Sequence, residues 1–233
     1  MSGAPDNDPG LFILGASHHT APLEVREKLS LAETAAEGLH GDLRAIPGLR
    51  EFAILNTCNR VEFYGVADEP GVPARVQAAF CRRQQFDEAA FARHRVSLHG
   101  PQTVRHLLEV AAGLDSQLVG ETEIFGQVKE AYAAAQARGS TGPVLNRVFQ
   151  KAFQAAKHVR THTAISTGQV SVANVAVELA RDIFGDLAPA RVLLVGAGEI
   201  GEKTARAFQS RGAGSFSVAS RRLERAMELA DGL

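Results

Sequence analysis

Leu11 to Ala16 is an unbroken apolar run, the pattern of a strand buried on both faces. Thr20 and Pro22 then predict a helix start, with the threonine as cap and the proline in the first turn. Ser30 with Glu33 has capping-box spacing and predicts a second helix running to Ile46, stopped by Pro47-Gly48. Two short apolar runs, 51–55 and 61–66, read as strands. They flank a polar connection, Asn56-Thr57-Cys58-Asn59-Arg60. Helices are expected over 74–83 and 87–93, and a short strand over 96–98. From Gln102 the period becomes helical, with Val104, Leu107, Leu108 and Ala111 on one face. Glycines and polar residues interrupt it over 113–126. It resumes over 128–137, 144–160 and 170–184, and Gly185 and Pro189 mark a boundary. The last stretch reads strand (191–195), glycine-rich turn, helix to Ser210, strand (215–219), helix. The fold class is therefore α/β. A first α/β region is followed by helical sequence and then by an incomplete Rossmann-type unit. Residues 1–10 are polar and read as a disordered lead-in.

Composition narrows the function. The chain has 233 residues, 45% hydrophobic and 22% charged, with a formal net charge of -1. A protein gripping nucleic acid mainly through phosphates should be more basic, so any RNA contact must be local or supplied elsewhere. No apolar run approaches the roughly 18 residues that span a bilayer, and Met1 to Gly10 lacks the pattern of a signal peptide. No membrane association is expected. Cys58 and Cys81 form neither a C-x-x-C pair nor a disulfide framework, so the expected setting is a reducing cytoplasm.

The clearest chemical signal is Gly196-Ala197-Gly198-Glu199-Ile200-Gly201, a G-x-G-x-x-G that follows a strand and opens a helix. Gly196 allows the tight turn, Gly198 lets the backbone approach a pyrophosphate, and Gly201 lets helix pack on strand. The helix N-terminus offers free N–H groups to phosphate. NAD sites place an acidic residue after the second strand, but this chain places Ser220-Arg221-Arg222 there. Guanidinium groups suit a 2′-phosphate, so the cofactor reading is NADPH. A pair of solvated arginines at a helix start is the bland alternative.

Cys58 is the second signal. Its neighbours Thr57, Asn59 and Arg60 are polar, whereas structural cysteines usually sit inside apolar runs. Arg60 is a candidate to stabilise a thiolate or bind a substrate carboxylate. The residues alone leave a nucleophilic thiol and a structural cysteine both open. A thiol with a nicotinamide cofactor suits an acyl reductase or aldehyde dehydrogenase working through a thioester or thiohemiacetal. Cys81, flanked by Phe80 and Arg82 on a helix, reads as inert.

Several segments, in order, resemble the glutamyl-tRNA reductase family. They are 15–22 (Gly-Ala-Ser-His-His-Thr-Ala-Pro) with Arg26-Glu27, then 56–64 around Cys58, and 113–121 (Gly-Leu-Asp-Ser-Gln-Leu-Val-Gly-Glu) with 124–129. Residues 160–166 and 170–173 follow, and Gly196-Ala197-Gly198-Glu199 closes the set. The resemblance covers the chain from about residue 11 to its end. It implies an N-terminal catalytic domain over 11–164, an NADPH domain of which 165–233 is an incomplete part, and a C-terminal dimerisation domain on a long spinal helix. It also implies the reaction: Cys58 attacks the ester of glutamyl-tRNA(Glu), and NADPH reduces the thioester to glutamate 1-semialdehyde. That is the first step of tetrapyrrole synthesis by the C5 route. His106 maps to the family's acid/base or ester-polarising histidine. The glutamate pocket maps to Thr57, Asn59, Arg60, Ser116, Glu121, Thr122, Glu123 and Gln127. A homodimer and handover to glutamate-1-semialdehyde aminomutase are implied for the full-length protein.

Other features stay outside that set. His18-His19 lack a third metal ligand at useful spacing, so no metal is expected, and they shape the floor of the site. Lys151, Lys157, His158 and Arg160 form either an RNA contact or a solvated helix face. The chain departs from the family's usual Gly-Glu-Pro-Gln at Gly120-Glu121-Thr122-Glu123, adding negative charge beside a pocket for an acidic substrate. It also reads Ser220-Arg221-Arg222 where relatives often read Asn-Arg-Thr, keeping the arginine. With only two nucleotide-domain strands, the expectation is an apolar sheet face left uncovered and poor order over 196–233. Two competitors follow: a truncated, non-catalytic fragment that binds charged tRNA or a partner, and another NADP-dependent thioester or aldehyde reductase.

Overall fold

The computed structural model describes residues 10–166 and 171–233. Its backbone falls into two compact units, Met1–Ile165 and Ser166–Leu233. The expected lead-in lies outside the described residues except for Gly10, whose carbonyl accepts a hydrogen bond from Ala67 N at 2.9 Å.

In the first unit, β1 (Leu11–Ser17), β2 (Leu49–Asn56), β3 (Arg60–Ala67) and β4 (Val96–His99) form one sheet in the order β2-β3-β1-β4. All three pairings are antiparallel. Antiparallel strands commonly alternate polar and apolar residues because one face meets water. Here β1 does not alternate, because helices cover both faces. Leu11, Ile13, Tyr64 and Val66 pack with α5 (Pro101–Ala112), α6 (Glu123–Ala137) and α7 (Pro143–His162). Phe12, Leu14, Phe52 and Phe63 face α1 (Leu23–Leu29), α2 (Glu33–Arg44), α3 (Val72–Gln84) and α4 (Glu88–His94).

Two expected helix caps are corrected. The N-cap of α1 is Pro22 and that of α2 is Ala32, neither with a side-chain cap bond. Thr20 instead closes the turn after β1, its Oγ1 accepting from Ser17 N at 3.1 Å. Ser30 terminates α1, its N–H donating to Arg26 O at 2.9 Å. A long-range pair overrides the local signal. Leu31 N donates to Asn56 Oδ1 at 3.1 Å, and Asn56 Nδ2 donates to Leu31 O at 2.9 Å. The link between the helices is thus tied to the end of β2.

α7 has its cap supplied from a distance. Glu51 on β2 is 7% exposed, and its carboxylate accepts from Val144 N at 3.2 Å and Leu145 N at 2.7 Å. These are orphan donors of the first helical turn, so the contact satisfies them and suits the helix dipole.

In the second unit, β5 (Arg191–Val195) and β6 (Ser215–Ala219) pair in parallel, with α8 (Val172–Phe184), α9 (Glu199–Ser210) and α10 (Leu223–Asp231). Val170, the expected start of α8, lies outside the described residues; Ser171 caps the helix, accepting from Asn174 N at 3.2 Å. Residues 196–233, expected to be poorly ordered, form regular elements around small cores that include Leu194, Ala205 and Leu229. The expectation of an uncovered apolar face holds on β5, where Leu193 is 65% and Val195 84% exposed.

Candidate active site

Thr57-Cys58-Asn59 is the short hairpin loop joining β2 to β3. Thr57 holds it closed: its N–H donates to Arg60 O at 2.8 Å, and its Oγ1 accepts from Asn59 N and Arg60 N at 3.1 and 3.2 Å. Arg26 on α1 donates to Cys58 O at 3.1 Å and to Asn59 Oδ1 at 2.7 Å. His18 N donates to Asn59 O at 2.9 Å from the other side. The loop is therefore fixed through its backbone while the Cys58 side chain stays exposed. Cys81 is the opposite case. It is buried, and burial, with help from Glu88 and Asp87, pushes its thiol up to about 11.

Below the loop, Arg60, Glu62 and Tyr64 alternate along β3 onto one face, turned toward the interior (3%, 1% and 0% exposed). Arg60 Nη1 donates to Glu62 Oε1 and to Asp115 Oδ2, each at 2.9 Å, and Nη2 donates to the Asp115 carbonyl. Tyr64 OH donates to Glu62 Oε2 at 2.7 Å. His106 on α5 places Nε2 at 3.0 Å from Glu62 Oε1. His19 Nε2 meets Asp115 Oδ1 at 3.0 Å, and its ring packs on His18 with centroids 3.9 Å apart. A continuous polar chain thus runs from the histidines after β1, through Asp115 and Arg60, to Glu62 and His106.

Burial and charge compete at each member. Burial raises the carboxyl pKa of Glu62, but Arg60 and His106 outweigh it and the net shift is downward. Burial lowers His106, yet the hydrogen bond and charge of Glu62 carry it above its ordinary value. Burial, then His19, lowers His18. Burial and Glu62 hold the Tyr64 phenol well above its usual value.

The loop after α5 gathers several pocket candidates. Glu121 accepts from Glu123 N at 2.9 Å and Ile124 N at 3.2 Å, capping α6, and Ser116 Oγ donates to the same carboxylate at 3.2 Å. Arg160 Nη2 donates to Glu121 O at 2.7 Å. Thr122 is exposed, while Glu123 and Gln127 are half-buried. An apolar groove of about 670 Å³ between α5 and α7, lined by Val104, Leu108, Leu114 and Val159, contains none of the candidate residues.

Sequence reasoning gave no role to Glu62, Asp115 or Arg26, although each sits in a segment that carries the resemblance. The available signal was a charge, a charge and a tyrosine at period 2 on one face of an otherwise apolar strand. Gly15 also gains a reason. It lies opposite Glu62, and an added Cβ would stand 2.3 Å from Val61 O and 2.8 Å from Glu62 Cα. Gly15→Ala is expected to lower stability by about 1–3 kcal/mol as the strands are forced apart, measured by urea unfolding; an unchanged midpoint would show that this approach is not tight.

In the second unit, Gly196 has φ +110°, a conformation that favours glycine. A Cβ on Gly201 would stand 2.7 Å from Gly196 O, so α9 packs on the turn only because that residue is glycine. Gly198 is the N-cap of α9, and a Cβ there would project into open space. Those properties fit a dinucleotide phosphate cradle. Ala197 and Ile200 complete the turn, and the Glu199 carboxylate lies 2.8 Å from Lys203 Nζ. Ser220 Oγ accepts from Arg222 N at 3.3 Å, and Arg221 beside it is exposed.

Fold and site together define a class of two-unit α/β proteins. An antiparallel domain presents a cysteine on a hairpin, and a pyridine-nucleotide type of βαβ unit follows it in the chain. Residues 14–163 match the family model "Glutamyl-tRNAGlu reductase, N-terminal domain", and residues 178–233 match "Shikimate / quinate 5-dehydrogenase". The glutamyl-tRNA reductase of Syntrophotalea carbinolica is 44% identical over 221 residues, covering 94% of this chain and 50% of that protein. That of Akkermansia muciniphila is 42% identical over 223 residues, covering 94% and 65%. The solved structure of glutamyl-tRNA reductase from Methanopyrus kandleri matches with a TM-score of 0.61 at 36% identity, covering 96% of this chain and 52% of that one. The chain belongs to the glutamyl-tRNA reductase family. It spans about half the length of most of the curated relatives it matches. No helix among the described residues is long and apolar enough to cross a membrane.

Proposed function

We propose that the chain carries the acyl-transfer half of glutamyl-tRNA reduction and the opening part of the site for its NADPH cofactor. The observation that carries this is an exposed thiol on a rigidly tied hairpin, set above a buried, charge-compensated network. The Cys58 thiolate attacks the carbonyl carbon of the glutamyl ester. A C–S bond forms, the C–O bond to the ribose breaks, and the leaving oxygen takes a proton. His106, whose protonated form is favoured by Glu62, supplies that proton. The substrate's glutamyl group is held by Thr57, Asn59, Ser116, Glu121, Thr122, Glu123 and Gln127. Arg60 acts from beneath, as a positioning residue that keeps Asp115 and Glu62 in place. NADPH, when bound, would supply the hydride that converts the thioester to glutamate 1-semialdehyde and frees the thiolate. The setting is the reducing cytoplasm. A homodimer, and handover of the aldehyde to the aminomutase that follows in tetrapyrrole synthesis, extend the proposal to the full-length protein.

The direct test mixes the chain with glutamyl-tRNA without nucleotide and reads Cys58 by peptide mass spectrometry. A glutamyl adduct on Cys58 is expected; an unmodified thiol with the ester intact would overturn the reading. For the cofactor, Gly196, Gly198, Gly201 and the α9 N-terminus would hold the pyrophosphate, and Ser220 and Arg221 would hold the 2′-phosphate. Arg221→Ala is expected to weaken NADPH binding on the order of ten- to a hundredfold, leaving NADH unaffected, through loss of charge-assisted bonds. Fluorescence titration with each nucleotide checks this, and equal losses for the two would remove Arg221 from the 2′-phosphate site.

A further inference from the structure

We propose that the outer face of α7 is a docking surface for the RNA backbone of the substrate; this rests on the reading above that charged tRNA is the substrate. Within the chain's net charge of -1, α7 is locally basic. It carries Arg147, Lys151, Lys157 and Arg160, with His158 and His162, and its 20 residues include no Asp or Glu. Leu145, Phe149, Ala152 and Ala156 are buried on its inner side. On the opposite side, Arg147, Lys151, Gln154, His158 and His162 are all exposed and recur at i, i+4, i+7, i+11 and i+15. At 1.5 Å per residue that stripe is about 22 Å long, enough to meet several successive phosphates.

Helix stability does not account for the stripe. Several exposed cations on other helices of this chain have acidic partners one turn away, among them Arg105 with Glu109, Lys203 with Glu199, and Arg206 with Glu202. Among the described residues, no cation of α7 makes a salt bridge. The helix dipole favours cations only at the C-terminal turn, so it explains Arg160 and His162 but not Arg147 or Lys151. Arg160 is in any case turned inward, onto Glu121 O and the Phe125 ring, and is not part of the docking face. What remains is a continuous donor-rich face: guanidinium, ammonium, amide and imidazole. Those are the groups that contact phosphate and ribose oxygens without reading sequence.

The test measures binding of fluorescent glutamyl-tRNA and of the deacylated tRNA to the whole chain across a salt series. In Arg147→Gln/Lys151→Gln, two phosphate contacts disappear. The slope of log K against log salt should fall by about 2, and affinity at 0.1 M salt should fall roughly 25- to 60-fold for both RNAs. Gln154→Lys should do the reverse, steepening the slope by about 1, an effect that loss of folding cannot imitate. Unchanged slopes in both variants, with the unaltered chain binding normally, would overturn the docking surface and leave the enzymatic reading standing. Failure of the unaltered chain to bind either RNA would overturn both. Binding to vesicles of anionic phospholipid that is lost in the double variant, with RNA binding intact, would assign the face to a membrane and overturn the proposal. Cys58 acylation from a small activated glutamate ester should be unaffected by all these changes.

Discussion

Cys58→Ser is expected to form no glutamyl adduct with glutamyl-tRNA, with acyl transfer falling by at least about 10⁴-fold. An alcohol and a thiol are nearly the same size, and the hairpin that carries residue 58 is held by Thr57, Arg26 and His18 through backbone atoms and Asn59. The substitution therefore changes the nucleophile and leaves its mounting intact. Cys81 serves as the internal control: its buried thiol, held up at about 11, should stay unmodified in both proteins. The measurement is mass spectrometry of the two cysteine peptides after quenching in acid. Undiminished glutamate on the Cys58→Ser chain would remove residue 58 from the chemistry.

Glu62→Ala should be the most damaging change away from the reacting atoms, costing about 3–5 kcal/mol. Glu62 is fully enclosed and serves three partners at once: Arg60, Tyr64 and His106. Without it, Arg60 keeps its charge in the interior with only Asp115 opposite. The pH dependence identifies the cause. His106 has its pKa raised in the folded protein, so its contribution is complete below about 6.5 and is lost as pH rises through the raised value. Glu62 has its pKa lowered, so its contribution is present above 4.5 and is lost as pH falls through the lowered value. The stability gap between the unaltered chain and Glu62→Ala should therefore be widest between about pH 4.5 and 6.5 and narrow on either side. Urea unfolding across pH reads the gap, and NMR titration of the His106 ring should show its pKa falling in the variant. A gap independent of pH would mean that Glu62 matters only by filling space.

How the helices begin shows where sequence reading lost its hold. Ser30 and Glu33 have capping-box spacing, but the pair Leu31–Asn56 decides that α2 starts after Ala32. The start of α7 depends on Glu51, distant in sequence and next in space. A cap is worth about 1 kcal/mol, less than the tertiary bonds that compete with it. The strands were legible for the opposite reason. β1 and β5 are short, strongly apolar runs, and β6 alternates serine with apolar residues at the period of a strand.

The amino-acid sequence by itself determined the α/β order of elements, the glycine turn before α9, and the polar loop that carries Cys58. These are local properties, set by hydrophobic period and by backbone freedom over a few residues. Only the tertiary structure decided that Arg60 turns inward, that Glu62 joins it to His106, and that Arg26 is the cation touching the cysteine loop. Those assignments depend on which face of β3 meets α5 and on how α1 crosses the hairpin. A buried charge is tolerated only where distant partners converge on it, and that convergence is a property of the fold.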